Sequence, residues 1–269
     1  MCTTGVLRLD ENDYLLFKNK DFVRGHFDDR IVIDEDVFGA QGVTTWAGTD
    51  PRADVFSGFS VGANASGLLC CDSNVRTLPD HANYDDLVEI ALREGTDVAS
   101  AIEAVRSAVA RKPYLWANLI MIDSDGAAAV EVKSGHVEAV ALNGPTARSN
   151  HHVVLGPNDD DDDTTTTISR LESAQTRLEH ASTFEDVLEL QRSHDDGDSG
   201  VCNHSLYQTV YSYVLRRQGS ETTAYVTQGH PCSNPVPEGL TLPIGDRWSA
   251  EAETGFRSSY PSARSVVAH

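Results

Sequence analysis

Cysteine stands at position 2, followed by Thr3-Thr4-Gly5, and it becomes the first residue once Met1 is removed. A thiol and a free α-amino group on one residue make a nucleophile that carries its own base. An α-amine titrates near ~7.7–8.0 and a thiol near ~8.5, so both lie close to working pH without large shifts. The amine can take the thiol proton, the thiolate can attack a carbonyl carbon, and the proton can pass to the departing amine. Cysteine at position 2 is also small enough for the initiator methionine to be removed.

Three other groupings offer chemistry. Gly197-Asp198-Ser199-Gly200 has the look of a serine-protease nucleophile loop. Val201 follows where that loop needs glycine, and no histidine segment supplies the base, so a turn in an acidic loop explains it better. Cys202-Asn203-His204 together with His230-Pro231-Cys232 holds two thiols and two imidazoles, the ligand set of a zinc ion. Its one-residue gaps are tighter than finger spacing, and no metal or cofactor is expected. Asp123-Ser124-Asp125-Gly126 is no calcium loop, because Met121 falls at the first ligand position.

The formal charge of −20 over 269 residues argues against nucleic acid as a partner, since binding it requires clustered cations. Lysine is scarce, at 18, 20, 112 and 133 only, and arginine supplies the other basic side chains. Such a surface repels itself at low salt and is tolerated where salt screens it, which points to a salt-adapted, halophilic cytosol; an ordinary acidic protein is the alternative. No apolar run is long enough to span a membrane. The first twenty residues lack a basic region followed by an apolar one, so no secretory signal is expected and the location is read as cytoplasmic. Five cysteines, at 2, 70, 71, 202 and 232, match no disulfide framework. Oligomeric state leaves no mark in the sequence, and a homo-oligomer is allowed.

The elements that must position these residues begin as strands. Gly5 to Leu9 and Tyr14 to Phe17 flank a turn at Asp10–Asp13, and Ile31–Ile33, Val43–Ala47, Val55–Val61 and Leu68–Cys71 follow. Helical periodicity marks about Tyr84 to Glu94, and then a helix from Thr96 or Asp97 carrying Val98, Ala101, Ile102, Val105 and Val109 on one face. Ala117–Ile122 is apolar on both faces, as a strand covered on both sides would be. It leads into a meander through Ala127–Val132 and His136–Leu142. Asn158 to Thr167, rich in aspartate and threonine, reads as a solvated loop. Helices are expected at Ile168 to Ala181 and Phe184 to Gln191, then strands at Leu206–Leu215 and Thr222–Thr227. The tail from His230 to His269 shows little pattern. Runs of strands alternating with runs of helices predict an α+β protein in which antiparallel sheets carry helices on their outer faces. No linker divides the chain, so one domain spanning 1–269 is expected.

Against this background the residues carry a resemblance. Met1-Cys2-Thr3-Thr4 and Lys18-Asn19-Lys20-Asp21-Phe22 are similar to the opening of the N-terminal-nucleophile (Ntn) cysteine hydrolases. Within that superfamily the likeness is to the choloylglycine hydrolase and penicillin V acylase family and to the acyl-coenzyme A:6-aminopenicillanic acid acyltransferases. Gly62-Ala63-Asn64-Ala65-Ser66-Gly67-Leu68-Leu69 with Asn74, then Ser149-Asn150-His151-His152, then Ile168-Ser169-Arg170, resemble family elements in the family's order. Ser193-His194, Val201-Cys202-Asn203-His204 and Gly229-His230-Pro231-Cys232 look most like the acyltransferase branch.

The resemblance implies a four-layer αββα sandwich and a set of roles. Cys2 would be the nucleophile and its amine the base, with Asp21 orienting that amine. Asn74 would offer its side-chain amide to the developing oxyanion. Asn150 would position the amine or the tetrahedral intermediate, and Arg170 would hold the thiolate and Asp21. Lys18 would be a substrate-binding residue. Bile-salt relatives carry arginine at that place, so a cation remains but its planar fork is lost, which speaks against bile-salt specificity. The expected substrate is a small N-acyl amide, hydrolysed through a thioester. Acyl transfer to a second amine is the alternative, and a non-catalytic binding protein keeping the fold is the alternative from another class. With only Met1 ahead of Cys2, internal self-cleavage is not expected, although the acyltransferase branch matures that way.

Overall fold

The computed structural model describes residues 2–23, 27–44, 54–156, 164–194, 197–234 and 236–261. Its strands are β1 (Cys2–Asp10), β2 (Asp13–Val23), β3 (Phe27–Ile33), β4 (Val37–Thr44), β5 (Asp54–Val55), β6 (Val61–Asn64), β7 (Leu69–Arg76), β8 (Trp116–Ile122), β9 (Ala127–Lys133), β10 (His136–Ala141), β11 (Thr146–Arg148), β12 (Tyr207–Gln218), β13 (Glu221–Gln228) and β14 (Gly239–Thr241). The helices are α1 (Asp85–Glu94), α2 (Val98–Val109), α3 (Thr164–Leu178), α4 (Phe184–Gln191) and α5 (Ala250–Ser259). One sheet runs β11-β1-β2-β12-β13-β14, and the other runs β10-β9-β8-β7-β6-β4-β3 with β5 beside β4. Every pairing between named strands is antiparallel.

Strand periodicity explains the layering. On β2, Leu16 points between the sheets, while Leu15 and Phe17 meet α3 and α4 through Ala174, Leu178, Val187 and Leu190. On β8, Ile120 and Ile122 face the other sheet, while Leu119 and Met121 pack under α1 and α2 against Leu87, Ala91 and Val105. The run at 117–122, apolar on both faces apart from Asn118, is therefore a strand covered on both sides. Cys70 and Cys71 are buried on opposite faces of β7 for the same reason. The result is the expected αββα sandwich. Among the described residues, no helix is long and apolar enough to cross a membrane.

Several boundaries differ from those read in the sequence. β2 runs on to Val23 rather than stopping at Phe17, so Asp21 lies inside the strand. The strand expected at Val43–Ala47 is the end of β4, and residues 45–47 fall outside the described residues. Val55–Val61 is not one strand. Gly58 breaks it with φ of +79°, where a Cβ would overlap the Asp85 backbone. Thr164–Thr167, expected in a loop, form the start of α3, and the remainder of that loop from Asn158 to Asp163 lies outside the described residues. Threonine lowers helix propensity by only a few tenths of a kcal/mol, and the Thr167 carbonyl is engaged by Ser149 Oγ at 2.7 Å.

The tail is the largest departure. β14 extends the first sheet, and α5 drops Phe256 and Tyr260 into the layer between the sheets. The Phe256 ring meets Phe38 at 5.4 Å, and Tyr260 Oη donates to Asp29 Oδ2 at 2.6 Å. Two apolar residues four apart form too sparse a stripe to be read as periodicity. Residues 262–269 lie outside the described residues.

Candidate active site

Cys2 opens β1, and its pairing with Lys20 across β1 and β2 puts both side chains on one face. The cysteine is 6% exposed, and its backbone nitrogen donates to Asn150 Oδ1 at 2.7 Å. Asn150 is itself held from three sides. Its Nδ2 donates to the Asn74 carbonyl at 2.6 Å, and its own N–H goes to Ser149 Oγ at 2.6 Å. The Ser149 carbonyl takes Ser73 Oγ at 2.6 Å and Asn118 Nδ2 at 2.9 Å, which ties the loop after β11 to the second sheet.

Arg170 reaches from α3 to the same spot with no exposed surface. Its Nη1 donates to the Cys2 carbonyl at 3.0 Å and to Thr3 Oγ1 at 3.2 Å, and its Nη2 to Asn150 Oδ1 at 3.0 Å. Asp21 lies 3.9 Å from the guanidinium. Asp21 also accepts from Thr209 Oγ1 at 2.8 Å and from Asn203 Nδ2 at 3.2 Å. Burial pushes the Asp21 carboxyl above its ordinary range, opposed by the Arg170 cation and by those two hydrogen bonds. The neighbouring His151 is held below the usual histidine range by burial first and then by the cations of Arg170 and Arg148. A neutral imidazole beside Asn150 adds no charge that would compete for the Cys2 nitrogen.

A cavity of ≈ 610 Å³ opens at Cys2. Asn74 lines it, half-buried, with its Nδ2 3.4 Å from Thr77 Oγ1. Phe22, Phe56, Leu115 and Tyr207 give it apolar walls, and Asp72 and Asp85 give it an acidic side. Lys18 forms part of its floor with no exposed surface, bound to Asp72 Oδ1 at 2.9 Å and to the Ser60 carbonyl at 2.9 Å. Burial pulls Lys18 down, but Asp72 together with Cys2, Cys71 and Asp85 outweighs it, and the net shift is upward. Lys18 is thus committed to an internal ion pair. Lys20, whose ammonium sits 4.3 Å from the Phe27 ring centroid, is the second cation along the wall.

Cys2, Asp21, Asn74, Asn150 and Arg170 therefore converge from β1, β2, β7, the loop after β11 and α3. The grouping can accept a hydrogen bond from the nitrogen of residue 2 and balance a buried cation. It also presents the Asn74 side-chain amide in the wall of the cavity that Cys2 lines. Sequence reading missed the supports: Asp72 under Lys18, Ser73 and Asn118 under Asn150, and Thr209 with Asn203 around Asp21. Thr209 is placed only by strand register, opposite Asp21 in the β2–β12 pairing. Asn203 sits within a segment whose cysteine and histidine drew attention to metal chemistry instead. Among the described residues, the group with metal-ligating geometry is His194, Cys202, His204 and Cys232, outside the cavity.

No family model matches the chain, and no curated protein matches it in sequence. Solved structures do resemble it. A conjugated bile acid hydrolase from Clostridium perfringens, in a point-variant form, aligns with a TM-score of 0.50 at 12% identity, covering 89% of this chain and 96% of its own. An N-acylethanolamine-hydrolyzing acid amidase ortholog from Caenorhabditis elegans aligns with a TM-score of 0.50 at 11% identity, covering 80% and 92%. A penicillin V acylase from Agrobacterium tumefaciens aligns at 0.46 with 11% identity, covering 89% and 85%. At these identities the likeness establishes fold: the chain has the αββα architecture of the Ntn cysteine hydrolases.

Proposed function

We propose that this chain, built on the Ntn-hydrolase fold, is a cysteine amidohydrolase that cleaves a linear N-acyl amide through a thioester on Cys2. The observation that carries the reading is the hydrogen bond from the Cys2 nitrogen to Asn150 Oδ1, at the mouth of a cavity that Cys2 and Asn74 line together. Removal of Met1 turns that nitrogen into an α-amine whose position Asn150 already fixes. The amine takes the thiol proton, and sulfur attacks the carbonyl carbon. Negative charge gathers on the carbonyl oxygen, which Asn74 Nδ2 stabilises. The tetrahedral intermediate collapses with cleavage of the C–N bond, and the α-ammonium gives its proton to the leaving nitrogen. Water then attacks the thioester and restores the thiol.

Arg170 and Asp21 position rather than react. The guanidinium pins the Cys2 carbonyl and Asn150 Oδ1, and Asp21 supplies the counter-charge that lets a cation stay buried there. A cavity of ≈ 610 Å³ with apolar walls fits a small-molecule acyl amide rather than a folded partner. The neighbours named above act on bile acid conjugates, penicillin V and N-acylethanolamines, and an N-acyl amide is the chemistry common to these names.

The test is amine release from a panel of N-acyl amides by wild type and by Cys2→Ala. Release that depends on Cys2 supports the reading, and equal release by both proteins refutes it. Turnover indifferent to an added second amine marks hydrolysis, whereas acceleration by that amine would replace hydrolysis with acyl transfer.

A further inference from the structure

We propose that His194, Cys202, His204 and Cys232 form a structural zinc site, and that this site holds Asn203 against Asp21. The four ligand atoms all lie within 4.8 Å of one another, although their residues come from three separate parts of the chain. His194 follows α4, Cys202 and His204 flank Asn203 in the loop before β12, and Cys232 sits in a short turn of helix at Pro231–Ser233 after β13. His204 Nε2 is 3.0 Å from His194 Nε2, 3.5 Å from Cys202 Sγ and 3.3 Å from Cys232 Sγ. With Zn–S near 2.3 Å and Zn–N near 2.0–2.1 Å, tetrahedral edges come to about 3.3 Å for N···N and about 3.5 Å for N···S. The three separations from His204 lie within about 0.3 Å of those edges, and the remaining pairs stay within 4.8 Å.

Two features separate this group from a chance meeting of polar side chains. The first is chemical: two sulfurs and two ring nitrogens gather within 4.8 Å, and one divalent cation satisfies all four once both thiols lose their protons. Two thiolates and two neutral imidazoles around a divalent ion leave no net charge, and this donor set in tetrahedral array selects zinc over magnesium or calcium. The second is that the backbone is organised independently of the four side chains. The Cys202 N–H donates to the Ser193 carbonyl at 3.0 Å, and the His204 N–H to the Asp198 carbonyl at 2.7 Å. His230 stacks on His204 at 3.9 Å between centroids and 14° between planes, which fixes the His204 ring. His230 thus takes the place of a ring support and His194 that of the fourth ligand. This reverses the sequence expectation that no metal is bound, an expectation drawn from the wrong histidine and from gaps too short for a finger.

All four positions are filled by protein, so the site is closed and its role is structural rather than catalytic. The consequence for function runs through Asn203, which lies between two ligands in the chain. Its Nδ2 donates to Asp21 Oδ2, and its N–H donates to Thr209 Oγ1 at 2.9 Å, the hydroxyl that donates to Asp21 Oδ1. Clamping Cys202 and His204 therefore fixes both hydrogen bonds that Asp21 accepts on this side. This second step rests on the placement of Asp21 in the active site, and metal content does not.

The test begins with native mass spectrometry and elemental analysis of protein purified without chelator. The expected result is one zinc per chain, retained by Cys2→Ala and lost, with at least a tenfold faster release to a chromophoric chelator, in His194→Ala and Cys232→Ser. His194 is exposed, so its replacement leaves the fold testable if Cys232→Ser does not fold. Cobalt added to zinc-depleted wild type should give the intense visible absorption of a tetrahedral ion and a thiolate charge-transfer band. Hydrogen exchange at the Asn203 and Thr209 amides should accelerate at least tenfold when the metal is removed. Absence of both zinc and the cobalt spectrum would overturn the site, as would a native mass two hydrogens short from a Cys202–Cys232 disulfide. Unchanged exchange at Asn203 and Thr209 would overturn the link to Asp21. None of these readouts depends on amide hydrolysis.

Discussion

Replacing Asp21 by asparagine tests how the buried cation beneath Cys2 is balanced. Arg170 has no exposed surface, and its other acceptors are the neutral oxygens of Cys2, Thr3 and Asn150. Asp21 Oδ2 stands 3.9 Å from its Nη1. At an effective dielectric constant of about 20, two unit charges at that distance attract by about 4 kcal/mol. Removing one partner of a buried pair costs ~3–5 kcal/mol, because the remaining charge is left uncompensated. Asp21→Asn is therefore expected to destabilise the protein by that amount, a fall of roughly 6–20 °C in Tm for a chain of this size. Arg170→Met should cost an amount at the lower end, since Thr209 and Asn203 still donate to the carboxylate. The double variant has neither charge, so its loss should fall short of the sum by about 3 kcal/mol. Urea unfolding of all four proteins at pH 7 closes the cycle. Losses that add to within about 0.5 kcal/mol would show that Asp21 is not the counter-charge of Arg170.

Asn74→Ala should lower kcat for amide hydrolysis about 10²–10³-fold, the ~2.7–4 kcal/mol that one oxyanion donor contributes, with KM nearly unchanged; an unaltered kcat would remove Asn74 from that role. Burial pushes Asp29 up to about 6 from an ordinary 3.8, against the pull of Lys20 and of hydrogen bonds from Tyr213 and Tyr260. A folded-state value raised in this way means stability is highest when the group is protonated and is lost as pH rises from about 4 through about 6, by ~3 kcal/mol in all. Asp29→Asn should flatten that component in pH-dependent urea melts, and a slope matching wild type would refute the assignment. Phe256→Ala should cost about 3–5 kcal/mol if α5 belongs to the layer between the sheets; a loss below about 1 kcal/mol would show that the helix is merely appended.

What the sequence revealed and what it hid follow from the range of the interactions concerned. Antiparallel sheets with helices on their outer faces were legible because β8 and the helices carry apolar patterns that local chain geometry imposes, whereas the four-layer αββα order came with the resemblance. Cys2 was legible because its chemistry needs only its own amine. Asp21, Asn74, Asn150 and Arg170 were picked out through resemblance rather than spacing, and the structure gathers them from four separate elements around Cys2. Thr209 carries no mark of its own, since only the register of β12 against β2 brings it opposite Asp21. Lys18 looked available to substrate because its partner, Asp72, is distant in the chain; their ion pair spans the gap between the sheets. His194 was passed over as a ligand for a related reason. The fold, not the spacing, closes the ring of donors, and His230, nearer to Cys232 in sequence, stacks beside it.

Intact-mass analysis with peptide mapping, on protein quenched in acid during turnover of an N-acyl amide, bears most directly on the mechanism. The expected species lacks Met1 and carries the acyl group on Cys2, and it is absent from Cys2→Ala. Active protein that keeps Met1, or an acyl group found on any other residue, would contradict the mechanism.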